Sequence, residues 1–101
     1  MDRIKKSDSP LMRQYKKWAK DLLKVNPRYV TDPRSLVQYI KGPNWDNPDV
    51  EYAYYRTTIN LYGDELLDKF EYIRSLPDKE AEDEYAALMR IAGITEKDGE
   101  L

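Results

Sequence analysis

Three times in this chain a short polar residue stands directly before a proline: Ser9-Pro10, Asp32-Pro33 and Asn47-Pro48. Such a pair marks a helix start. The polar side chain accepts a hydrogen bond from one of the first free N–H groups. The proline already has a helical φ and lacks the N–H that would go unpaired. A fourth start lies at Pro77-Asp78, and stops stand at Asn26-Pro27, Gly42-Pro43 and Gly93. Between these marks apolar residues recur every three or four positions, and no segment alternates as a half-buried strand would. The pattern predicts an all-α fold, a compact bundle of four or five helices in a single domain over residues 1–101. Residues 1–8 and 95–101 read as mobile tails.

The first predicted helix, about Pro10 to Val25, is amphipathic. Leu11, Tyr15, Trp18, Leu22 and Val25 fall on one face, and Arg13, Lys16, Lys17, Lys20 and Lys24 on the other. A short helix follows over about 33–41. The stripe Tyr52, Tyr55, Ile59, Tyr62, Leu66, Phe70 and Ile73 keeps helical phase across Gly63, and a mid-helix glycine costs only about 1 kcal/mol. One long central helix over about 48–76 is therefore expected. A second apolar line, Val50, Tyr54 and Leu61, suggests that its first half is buried on two sides. The last helix spans about 78–92.

Charge is divided along the chain. Residues 1–41 carry eleven Lys/Arg against four Asp/Glu, a net of +7, and residues 42–101 carry six against fifteen, a net of −9. Opposed blocks of this kind steer charged partners or draw the two halves together. There is no Cys and no His, which removes thiolate chemistry, disulfides and the commonest general base and metal ligand. No run is long and apolar enough to span a bilayer, and the charged N-terminus lacks a secretion-signal segment. The expected setting is cytoplasmic, with no membrane role and no cofactor.

Four features could carry function. Arg13, Lys16, Lys17, Lys20 and Lys24 form a basic ridge that could track nucleic-acid phosphates. The acidic residues of the last helix could dock on a basic partner. Nine tyrosines, four of them (Tyr52, Tyr54, Tyr55, Tyr62) close together, suit an interface, because tyrosine adds contact area and a hydroxyl at low entropic cost. With Phe70 the only phenylalanine, tyrosines must also fill core positions, their hydroxyls reaching the surface. Trp45, in the loop Gly42–Asn47, is either an interface anchor or a lid over the helix ends.

Two acidic i, i+3 pairs, Glu65/Asp68 and Glu80/Asp83, lie on successive helical segments. They loosely resemble the ExxE…ExxD magnesium signature of the all-helical MazG-type nucleotide pyrophosphohydrolases, with Asp68 standing where the first pair of the signature has Glu. The resemblance implies a Mg²⁺ held by these four carboxylates against a triphosphate. A helix-turn-helix reading of Met89–Thr95 fails, because the segment that would enter the DNA groove is short and acidic.

The function expected from the sequence is non-catalytic. It is a small helical adaptor, subunit or inhibitor, of the kind found among phage and mobile-element accessory proteins, docking on a protein partner through Trp45, Tyr52, Tyr54 and Tyr55. A homodimer fits the surplus apolar line as well. The alternative is nucleic-acid binding by the basic ridge. A Mg²⁺-dependent pyrophosphohydrolase is the third reading.

Overall fold

The computed structural model of the chain describes residues 1–99. Its helices are α1 (Pro10–Val25), α2 (Arg28–Thr31), α3 (Pro33–Lys41), α4 (Pro48–Asn60), α5 (Asp64–Ser75) and α6 (Asp78–Ile91), followed by a 3₁₀ turn at Glu96–Gly99. There is no strand among the described residues. The proline starts are where the sequence puts them. Ser9 Oγ accepts the Met12 N–H at 3.1 Å, and Asp32 accepts the Arg34 N–H at 3.1 Å and the Ser35 hydroxyl at 2.9 Å. Asn47 precedes α4 in extended conformation without a capping hydrogen bond.

The described residues form six α-helices rather than four or five. The one-turn α2 escaped the sequence pattern, being too short to show a period. The larger correction concerns the expected helix over 48–76, which is two helices. After Asn60 the chain turns: Tyr62 and Gly63 donate their N–H groups to the Ile59 and Asn60 carbonyls, and Gly63 takes φ 143°. The apolar stripe keeps its phase across this turn because both helices face one core. Tyr55 and Ile59 before the break are buried with Leu66, Phe70 and Ile73 after it. The spine is the short α5, which packs against α1, α3, α4 and α6.

Gly63 has no side chain to cap α5, and a residue from α1 does so instead. Gln14 Oε1 accepts the Leu66 N–H at 3.0 Å, and its amide donates to Glu65 at 2.5 Å. The Gln14 bond and then Glu65's own N–H hold that carboxyl below its ordinary range.

The centre of the core is aromatic. Trp18 meets the Phe70 ring edge-on at 5.0 Å and stacks near Tyr15 at 5.8 Å, and Tyr85 stands edge-on to Tyr15 at 5.9 Å. The Tyr15 hydroxyl donates to that of Tyr85 at 3.1 Å, and Tyr85 donates onward to the Tyr29 carbonyl at 3.1 Å. These hydroxyls do not reach the surface as the sequence reading expects. They satisfy one another inside, and burial first of all holds both phenols well above their ordinary pKa.

Residues 1–8, expected as a tail, lie along α1 and the end of α6. Asp2 donates its N–H to the Ala92 carbonyl at 2.9 Å, and the Lys16 ammonium donates to the Arg3 carbonyl at 2.9 Å. Of the expected C-terminal tail, residues 100 and 101 lie outside the described residues.

Lys16 is 2% exposed and pairs with Asp8 at 2.8 Å. Removing one partner of such a pair leaves a buried charge without compensation. The hydrogen bond from Lys16, and after it the Lys5 N–H, hold the Asp8 carboxyl below its ordinary value. A lowered carboxyl pKa adds stability that is present above the unfolded value, near 4, and lost as pH falls through the folded one. The melting temperature should therefore fall as pH drops below about 4. Asp8→Asn should start from a lower melting temperature at neutral pH and fall less steeply in acid. Parallel acid profiles for the two proteins would show that the pair contributes nothing.

Candidate functional site

α4 is apolar on two faces, and only one of them is covered. Tyr52, Tyr55 and Ile59 turn inward, where Tyr55 and Ile59 are buried. Val50, Tyr54, Thr57 and Leu61 follow at spacings of 4, 3 and 4 and line the opposite side. Val50 is 62% exposed, Tyr54 72% and Leu61 81%. The sequence reading puts this line inside the bundle. It stands outside because α5, against which α4 chiefly packs, lies on the other face.

No charged side chain interrupts the line. The hydroxyls of Thr57 and Thr58 are turned back onto the helix, donating to the Ala53 and Tyr54 carbonyls at 2.9 Å each. The surface thus offers methyl groups and a tyrosine ring with little hydrogen-bonding demand. Beside it runs a shallow groove of about 500 Å³, lined by Ala53, Arg56, Thr57, Asn60, Asp64 and Leu67.

Of the four residues assigned to a protein interface, Tyr54 alone is exposed. Tyr55 is buried, and its hydroxyl and Glu71 Oε1 have no hydrogen-bond partner among the described residues. Burial first, and then the neighbouring Glu71, raise the Tyr55 phenol well above its ordinary pKa. Tyr52 is half-buried. It donates to Glu71 Oε2 at 2.9 Å, and the Arg74 guanidinium lies 4.3 Å from its ring centre. Trp45 folds back over Tyr39 and Tyr55, with ring centres 6.4 and 6.1 Å away, and is half-buried. It lies close over Gly42, whose φ of 67° ends α3 and where a Cβ would fall 2.4 Å from the indole. Trp45 also forms one wall of a cleft of about 420 Å³ with Asn26, Arg28, Tyr29, Ser35, Gln38, Tyr39 and Asn44.

The basic ridge is altered in one member. Arg13, Lys17, Lys20 and Lys24 are exposed, whereas Lys16 is withdrawn into its contacts with Asp8 and Arg3. A helical projection cannot show this, because both partners lie upstream of the helix.

The four carboxylates of the magnesium pattern are all exposed. Glu65 is held by Gln14, and Asp83 pairs with Lys79 at 3.1 Å. No group of three or more potential metal ligands comes together among the described residues, so these residues do not fit the ion that the signature requires. No described helix is long and apolar enough to cross a membrane. Compared with known proteins, the chain matches no family model, no curated protein and no solved structure.

Proposed function

We propose that this is a non-catalytic binding protein that docks on a protein partner through the outer face of α4. The observation that carries the reading is the exposed, uncharged line Val50–Tyr54–Thr57–Leu61 on a helix whose other face is already packed. In a chain of which 36% is charged, an exposed uncharged line about three turns long, with three large apolar side chains, is a departure that solvation alone does not account for. Covering a large apolar side chain contributes about 1.5–3 kcal/mol. Tyr54 supplies the aromatic anchor that interfaces favour. The line alone is smaller than a standard interface of about 800 Å² per partner. The groove beside it, with Arg56 and Asp64 at its edges, extends the surface and supplies a polar rim.

The test is affinity capture from a lysate of the native host, treated with nuclease, with wild type compared to a Val50→Asp/Leu61→Asp variant. The expected result is one protein retained by wild type through nuclease treatment and lost by the variant. Both substitutions lie at exposed positions, so the variant should keep the helical circular dichroism of wild type. Equal retention of the same protein by both would overturn the reading. A concentration-dependent dimer that the variant abolishes would make the partner a second copy.

A further inference from the structure

The cations that α1 leaves exposed form a surface separate from the α4 face. Arg13, Lys17, Lys20 and Lys24 recur at spacings of 4, 3 and 4, which places them in one straight row. At 1.5 Å per residue the row is about 16 Å long. The N-terminal arm adds to it. Lys16 ties the Arg3 carbonyl to the flank of α1, and the turn at Lys5–Asp8 returns the chain to the start of the helix. Arg3 thereby lies beside Lys20, and Ile4 beside Arg13 and Lys17, while Lys5 and Lys6 are exposed in the turn that leads into the helix. The row and the arm together carry seven exposed cations.

The cations outnumber the carboxylates around them. None of the seven makes an ion pair among the described residues. Four carboxylates lie along the face: Asp8 is neutralised by Lys16, while Asp2 on the arm, Asp21 (acceptor of the Tyr62 hydroxyl at 2.8 Å) and Glu65 (bonded to Gln14) keep their charge and leave the seven cations in excess. The withdrawn Lys16, together with the Asp2–Ala92 hydrogen bond, ties down the arm and holds Arg3 against α1. A row of cations in excess over the neighbouring carboxylates is complementary to a regularly spaced polyanion.

We infer that the α1 face and the N-terminal arm bind the phosphodiester backbone of duplex nucleic acid without reading its sequence. Two observations select this occupant. No aromatic ring stands free in the row for bases to stack on, as single-strand binding requires, because Tyr15 and Trp18 are buried and Tyr62 is half-buried and bonded to Asp21. An anionic membrane would need a continuous apolar face to insert, and most of the apolar face of α1 is already in the core, leaving only Ile4 and, next to Lys24, Val25 exposed.

The test is fluorescence anisotropy of the purified full chain with a labelled 20-base-pair DNA duplex across a salt series. Wild type should bind with an affinity that falls steeply with salt, log K losing about 0.9 per phosphate contact for each tenfold rise. A Lys17→Gln/Lys20→Gln/Lys24→Gln variant should bind at least about tenfold more weakly at low salt, with its salt slope reduced by about 3. An Arg34→Gln/Lys79→Gln control, which removes two cations outside this face, should bind like wild type. All five positions are exposed or at the surface, so a matched melting temperature verifies folding. Equal loss in the triple variant and the control would overturn the inference, as would absence of salt-sensitive duplex binding. Preference for the single strand, or binding to phosphatidylserine vesicles in place of DNA, would overturn it in favour of those occupants. No protein partner enters this experiment, so its failure leaves the α4 reading intact, and the reverse holds.

Discussion

Trp18→Ala should destabilise the protein by about 3–5 kcal/mol, the range for emptying a buried large aromatic site. Trp18 is 1% exposed and is the element by which α1 grips α5 and α6, through Phe70 at 5.0 Å and through Tyr15, which carries the contact on to Tyr85. The lost terms are the transfer of the indole from water and a cavity that Tyr15 and Phe70 can only partly fill, since each is held by a further aromatic neighbour. Small domains have a net stability of about 5–15 kcal/mol, so the change removes a large share of it. The melting temperature should fall by roughly 15–30 °C, read by thermal circular dichroism. Trp18→Phe, which keeps a ring in the site, should lose clearly less. A drop of only a few degrees for Trp18→Ala would contradict the placement of α1 on α5.

Gly63→Ala is expected to cost about 2–4 kcal/mol, far more than a glycine-to-alanine change at an ordinary helix end. Two effects add. At φ 143° the backbone is in a region that only glycine enters freely, and holding an L-residue there costs about 1–3 kcal/mol. The new methyl would also fall 2.1 Å from the Gln14 side chain, displacing the amide that caps α5. Loss of a cap costs about 1 kcal/mol. The two effects separate experimentally. Gln14→Ala alone should cost only the cap, and adding Gly63→Ala to it should cost only the strain. If Gly63→Ala proves neutral, α4 and α5 are continuous after all.

Where the chain announces its elements chemically, the fold was legible. Ser9-Pro10 and Asp32-Pro33 mark α1 and α3 because capping and proline geometry act within a few residues. The end of α4 was hidden for a physical reason. A hydrophobic period reports which side chains meet the core, and it continues across a turn when the helices on both sides meet the same core. The feature that decides the matter is the absence of a side chain at 63 together with Gln14, 49 positions upstream by residue number, and no local pattern joins them. The candidate surfaces were legible to the same degree. The row Arg13–Lys17–Lys20–Lys24 follows from helical spacing, whereas the withdrawal of Lys16 depends on Asp8 and on the path of the arm. For Val50, Tyr54 and Leu61 the period identified a second apolar face, but it cannot tell a face covered by the bundle from one left open. Tyr55 and Tyr54 are adjacent, and one is core while the other is surface.

The two tryptophans stand in contrasting surroundings, one sealed between aromatic rings and the other at the lip of an open cleft. The protein therefore carries two native optical reporters. Emission from Trp18 should be blue-shifted and closed to soluble quenchers, and should follow the integrity of the helical core. Emission from Trp45 should be red-shifted and open to quenching, and should follow whatever comes to lie against the α3–α4 loop. Replacing one indole at a time lets unfolding and complex formation be watched as separate signals in the same unlabelled chain.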